Sequence, residues 1–273
     1  MDKIAAAIDS VKGAAVLHRT MDADHHRSVI TFAGHPDSII EAALRGVEKA
    51  VELIDLSRHT GVHPRMGAAD VVPFVPVRGV SLEQCAHLAE QAGEEIWRRL
   101  RVPVYLYEAA ARREDHRMLE DVRREAGRHL DIGGPLLHPT AGAAVVGARK
   151  FLIAWNVNLH TEDISIARAI ARTVRASSGG FPHVKALGLM LPSRNQTQVS
   201  MNLTDFEVTP MRTVFDAIER EAKNYGVTIA ASELIGLVPQ AALASASAAY
   251  LRIEDFTPER ILENRLASAL ALD

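Results

Sequence analysis

Cysteine is almost missing from this 273-residue chain, in which Cys85 stands alone. One thiol excludes an intramolecular disulfide and any metal site built from several thiolates. Within a helical pattern, Cys85 reads as a small core hydrophobe. An excess of charge is missing as well: the formal net charge is -3, which gives no electrostatic reason to expect nucleic acid as a partner. No apolar run reaches membrane-spanning length, and no basic-then-apolar leader opens the chain. No membrane partner is therefore expected, and the cytoplasm is the default location. The glycine-rich GAAVVGARK, residues 142–150, matches neither GxGxxG nor GxxxxGK[ST], so no nucleotide site is read there. There is no GxSxG, and no Ser-His-Asp order that suggests a serine hydrolase.

With 48% hydrophobic and 24% charged residues, the composition is that of an ordinary globular protein. The length suits one large domain or two modest ones. The second half is the easier to read. KFLIAWNVNL at 150–159 alternates as a strand, residues 162–176 carry apolar side chains at helical spacing, and SSGG stops that helix. Strands are predicted at 184–191 and 197–206. Thr209-Pro210 is read as an N-cap and first position of a helix reaching Tyr225, and VTIAASELIGLV as the next strand. The order is βαββαβ, the ferredoxin-like unit. Helices over 239–251 and 257–271 are expected to close the chain.

The first half is also α/β. AAVLHR and RSVITFAG are short strands, Ser38 with Glu41 suggests a capping box, and Ser81 with Gln84 a second one for a helix over 82–100. DVVPFVPV is extended, its prolines pointing to a sheet edge, and VPVYLY is a further strand. Residues 111–128 read as a charged surface helix, and GGPLLHPTAGAAVVGARK as a glycine-rich connection between halves. The expected fold class is α/β (an α+β sandwich) in two subdomains, 1–146 and 147–273, with a ligand cleft between them.

Three polar clusters exceed what packing requires. In SRHTGVHPRMG, His59 and His63 lie four apart, but Gly61 and Pro64 make the segment a loop, and neither HExxH nor a third ligand supports zinc. Arg58 and Arg65 suit bidentate clamping of carboxylates, and their charge favours a neutral His63, a usable general base. In DADHHR, Asp22, Asp24, His25 and His26 are metal ligands by type. A ligand-facing polar turn is the reading preferred here. On the strands, Asn156 and Asn158 share one face, and Gln198, Ser200, Asn202 and Thr204 alternate likewise. Such an amide-lined wall suits a heteroaromatic ligand with several ring nitrogens; an interior water network or an exposed sheet face is the rival reading.

Taken together, SRHTGVHPRMGAADVVPFVPVRGV, VPVYLYEAA, GARKFLIAWNVNL, QVSMNLTDFEVT and SELIGLVP resemble the formiminotransferase domain of the glutamate formimidoyltransferases. The resemblance implies transfer of a formimino group between N-formimino-L-glutamate and tetrahydrofolate, with tetrahydrofolate as co-substrate, no metal, and a homodimeric assembly. It places the catalytic role on His63 of HPRMG. By position, Arg58, Arg65, His26, Arg27, Asn156, Asn158 and Asn202 are then expected to hold the substrates. Two departures stand out. Family members open with a strand and a turn of the type ECVPNFSEGR, whereas this chain starts at the helix DKIAAAIDSV. His18 and Thr20 replace the aspartates of mammalian-like members. The cyclodeaminase domain of the bifunctional enzymes is not expected. Three other functions fit some of these residues: formyl transfer from N-formylglutamate, folate binding without turnover, and a metal hydrolase built on DADHHR.

Overall fold

The computed structural model describes residues 1–22, 26–59 and 65–270. The chain divides into two compact units, Met1–Lys150 and Phe151–Asp273.

The first unit opens with helix α1 (Asp2–Asp9) and an antiparallel pair, β1 (Ala14–Asp22) and β2 (Arg27–Gly34). Helix α2 (Pro36–Leu53), strand β3 (Val71–Phe74), helix α3 (Leu82–Leu100), strand β4 (Val104–Glu108), short helix α4 (Leu119–Arg124) and strand β5 (Ala144–Ala148) follow. The last three strands form a parallel sheet in the order β3-β5-β4. Strand β3, with Pro73, lies at an edge, where a missing N–H costs least. Cys85, Ala89, Ala92 and Ile96 recur at helical spacing on α3 and are buried with Ala43, Leu44 and Val47 of α2 and with Phe74, Val104, Leu106 and Val146 of the sheet. On the other face Tyr105, Tyr107 and Val145 pack with Met66 and Val122.

Several local expectations fail in this unit for identifiable reasons. Ser81 and Gln84 do form the reciprocal capping box of α3, but Ser38 and Glu41 do not cap α2. That helix starts earlier, at Pro36 behind His35, and the Ser38 hydroxyl donates instead to the carbonyls of Gly13 and His35. The charged stretch 111–128 contributes only a 3-10 turn at Glu114–His116 and the six residues of α4. The glycine-rich "connection" contains β5, the central strand of the sheet. A β-carbon at Gly147 would lie 2.3 Å from the Tyr107 carbonyl oxygen, so glycine there permits close strand packing. Because β5 runs through Ala148, the first unit takes in Gly147, which the sequence reading assigned to the second.

The second unit is β6 (Ile153–Leu159), α5 (Ile164–Val174), β7 (Val184–Leu191), β8 (Gln196–Leu203), α6 (Met211–Asn224) and β9 (Ile229–Ile235). Its antiparallel sheet has the order β7-β8-β6-β9, the ferredoxin-like arrangement. Ile153, Trp155, Val157 and Leu159 of β6 pack with Ala167, Ile170 and Val174 of α5 and with Met211, Val214 and Ile218 of α6. Thr209 does not cap α6: Pro210 holds the N-cap position, and the Thr209 hydroxyl donates to the Pro182 carbonyl at 2.6 Å. The segment 239–251 is mostly turns around a short 3-10 helix, Gln240–Leu243, and helix α7 (Leu262–Leu270) begins later than the Thr-Pro pair suggested. No helix among the described residues is long and apolar enough to cross a membrane.

Candidate functional site

The polar loop after α2 is shaped by its own backbone bonds. Asp55 accepts from the amide and the hydroxyl of Ser57, closing a 3-10 turn at Leu56–Arg58, and the Leu56 amide donates to the Thr140 carbonyl at 2.8 Å. Arg58 is exposed, and its charge adds to the effects that hold the Asp55 carboxyl below its usual range, chief among them the Ser57 hydroxyl. His63, the expected general acid/base, lies outside the described residues, as do Asp24 and His25. The chain is described again from Arg65. Ala143 N donates to the Met66 carbonyl and Ala68 N to that of Ala141, which pins the segment against the strand leading into β5. At Gly67 a β-carbon would sit 2.1 Å from the Ala143 carbonyl oxygen, so only glycine fits.

Asp70, just before β3, is the hub of this region. Its Oδ1 accepts the Met66 amide at 2.7 Å, and its Oδ2 accepts from Arg27 Nη2 at 2.9 Å and from Arg123 Nη2 at 2.8 Å. The side chains of Arg27, Asp70 and Arg123 are 33%, 14% and 17% exposed, so the bonds are only partly screened by water. Arg65 belongs to the same group electrostatically. Burial pushes the Arg27 guanidinium below its ordinary pKa; Asp70 opposes this, while the charges of Arg123 and Arg65 add to it. Arg65 Nη2 and Arg123 Nε are buried and have no hydrogen-bond partner. On the sheet beside them, burial raises the Tyr107 hydroxyl against the opposing charge of Arg149.

A second contact joins two clusters that are far apart in sequence. The imidazoles of His26 and His59 stack with centroids 4.7 Å apart and planes 25° apart, and their Nδ1 atoms are separated by 3.5 Å. A hydrogen bond between those nitrogens requires one ring to donate and the other to accept. The hairpin tip therefore carries His26 to the 57–59 turn and Arg27 to Asp70, bringing both residues to the polar loop.

In the second unit the amide wall is present. Asn156 and Asn158 lie opposite Ser200 and Gln198, and their alternation places Trp155 and Val157 in the core on the other face. Asn158 and Gln198 are each 1% exposed. Gln198 Nε2 donates to Asn158 Oδ1 at 2.9 Å, and Asn158 Nδ2 donates to Glu233 Oε1 at 3.0 Å. Arg194 pairs with both Glu233 and Glu254, and Gln198 Oε1 is left buried without a partner. Asn202, opposite Ala154, is exposed, away from this chain of bonds.

The structure thus groups His26 with His59 and Asn158 with Gln198, and the charge of Arg65 acts on Arg27. Arg58 stands apart with Asp55. Sequence reading missed Asp70, Arg123 and Glu233. Glu233 had no local signal, since its place opposite Asn156 comes from the pairing of β9 with β6. Arg123 had none, because nothing in a run of mixed charges tells which arginine turns inward. Among the described residues, no three His, Cys, Asp or Glu side chains converge as a metal site.

Two α/β units, one ferredoxin-like, with an arginine cluster in one and an amide wall in the other, define a transferase of the formiminotransferase type when set beside known proteins. The N-terminal subdomain of the formiminotransferase domain matches residues 1–149, and the formiminotransferase domain itself matches residues 154–268. The chain belongs to the formiminotransferase family. It is 42% identical to the glutamate formimidoyltransferase of Streptococcus pyogenes serotype M1, covering 97% of this chain and 93% of that protein. Identity to the glutamate formimidoyltransferase of Thermoplasma acidophilum is 39%, covering 100% of this chain and 94% of that protein. The formimidoyltransferase-cyclodeaminase of Mus musculus is 40% identical over 92% of this chain, which spans 49% of that longer protein.

Proposed function

We propose that this protein transfers the formimino group of N-formimino-L-glutamate to tetrahydrofolate, giving 5-formiminotetrahydrofolate and L-glutamate. The observation that carries the reading is the near full-length similarity to glutamate formimidoyltransferases. In this reading folate N5 attacks the formimino carbon and His63 takes the N5 proton. The adduct collapses as the bond from that carbon to the glutamate nitrogen breaks, and His63 returns the proton to the departing nitrogen. No redox step enters the reaction. Arg27, Arg58 and Arg65, with His26, serve the carboxylates, while Asn156, Asn158 and Asn202 serve the pterin. A cytoplasmic homodimer is the assembly proposed, and a concentration-independent monomer mass in solution would contradict that part.

The test is steady-state transfer with the purified chain, tetrahydrofolate and formiminoglutamate, followed through acid conversion of the product to the absorbing methenyl folate. His63→Ala is expected to lower kcat by about 10²- to 10⁴-fold, the usual contribution of a positioned acid/base, while folate binding persists. Undiminished kcat in that variant would remove His63 from the mechanism. Wild-type turnover with N-formylglutamate, and none with the formimino donor, would overturn the reaction itself.

A further inference from the structure

Arginine guanidiniums are costly to gather, and two of them meet on Asp70 while the charge of a third, Arg65, acts on Arg27. Two share a single carboxylate oxygen, Oδ2, whose companion Oδ1 is already committed to a backbone amide. Asp70 therefore orients Arg27 and Arg123 but has no oxygen reserved for Arg65. The donors left over, Arg65 Nη2 and Arg123 Nε, are buried without a partner, a state that an incoming anion would relieve. Partial exposure of Arg27 and Arg123 leaves the cluster reachable from solvent. Arg123 comes from α4 and Arg27 from β2, so two separate elements bring a charge to Asp70. Arg65, on the loop before β3, adds its charge to that of Arg123 against Arg27. Convergence of this kind opposes stability unless a ligand of opposite sign completes it.

We infer that Arg27 and Arg123, gathered on Asp70, and the neighbouring Arg65 form a binding site for a glutamyl carboxylate, with Arg123 as a ligand-binding residue and Asp70 as the residue that positions the forks of Arg27 and Arg123. This deepens the proposed transfer reaction and rests on it for the choice of carboxylate. Planar guanidinium forks match a carboxylate bidentately, which a single lysine cannot do. Both substrates of that reaction carry the same chemistry, the donor as its glutamate portion and the folate as its glutamyl tail. The two sources are separable by experiment.

The experiment titrates L-glutamate and, separately, tetrahydrofolate into the whole chain by calorimetry, a readout that needs no turnover. KM and kcat for formiminoglutamate are measured alongside. Arg123→Gln and Asp70→Asn are compared with wild type, with Arg123→Lys as a milder variant and Arg124→Gln as a control; Arg124 is exposed and pairs with Asp121. Arg123→Gln is expected to weaken one of the two ligands by about 10- to 100-fold, the worth of a lost charge-assisted contact. Arg123→Lys should weaken it less, and Arg124→Gln should not. Weaker L-glutamate with raised donor KM and nearly unchanged kcat assigns the site to the donor. Weaker folate with intact L-glutamate binding assigns it to the tail. Asp70→Asn should give the same split of KM from kcat. Affinities within twofold of wild type for both ligands in Arg123→Gln overturn the inference, even if the wild type transfers formimino groups. So does failure of the wild type to bind either ligand. L-glutamate binding that depends on Arg123 in a chain without formimino transfer leaves this site standing and removes the proposed reaction instead.

Discussion

His116 shows how much a single side chain can decide in this fold. Its imidazole is fully buried, Nδ1 lies 2.7 Å from Asp131 Oδ2, and the ring meets Tyr105 edge-on. The same carboxylate oxygen accepts the Leu106 amide at 2.8 Å, so the pair ties the 114–116 turn and residue 131 to β4. Removing the imidazole leaves a buried carboxylate with one backbone donor. His116→Ala is therefore expected to cost about 3 kcal/mol or more, read as a lowered urea midpoint with little change in slope. A midpoint equal to wild type would show that the pair carries no stability. Nothing in EDHRMLED marks this histidine as buried, because its partner is fifteen residues downstream. Arg123 was opaque for the same reason, with Asp70 lying fifty-three residues upstream.

Among the elements, α3 was the most legible and β5 the least. Helix α3 carries its own start signal at Ser81 and Gln84, an apolar stripe, and basic residues in its last turn. Each of those is local. Its surface is also bound by charge: Glu95 is held down to about 2 by hydrogen bonds from Arg98 first and Arg99 next, and Arg99 reaches across to Glu41 of α2. A carboxyl whose pKa is depressed on folding contributes stability above its unfolded value near 4.5 and loses it as pH falls toward 2. The predicted consequence is a loss of thermal stability over that window. Added salt should shrink it, because these groups face water. Glu95→Gln should flatten this part of the pH profile, and an unchanged profile would dismiss the pair as a stabilising element. Strand β5, by contrast, reads in sequence as a glycine-rich link. Its identity comes from β3 and β4 on either side, and no property of AVVGA alone reveals that it is flanked twice.

At the scale of the whole molecule, each unit has its own core. The buried cluster of the second unit runs from Ile153 to Leu251 and draws on both helices of its βαββαβ pattern. A fragment of residues 151–273 is accordingly expected to unfold cooperatively, as followed by circular dichroism against temperature; a broad, midpoint-free melt would show that its core is insufficient. By itself the sequence determined the ferredoxin-like order of the second unit, since alternation in β6 and β8 and the stripes of α5 and α6 are properties of neighbouring residues. It also contained the family resemblance, which rests on long matched segments. Tertiary structure alone decided that β5 is a central strand, that His26 stacks on His59, and that Arg123 joins Arg27 on Asp70. Those outcomes depend on residues brought together across 33 positions of chain for His26 and His59, and 43 and 53 for the arginines on Asp70. The separation is longer still for Val71 paired with Val145. At such distances spacing in the sequence no longer reports proximity in space.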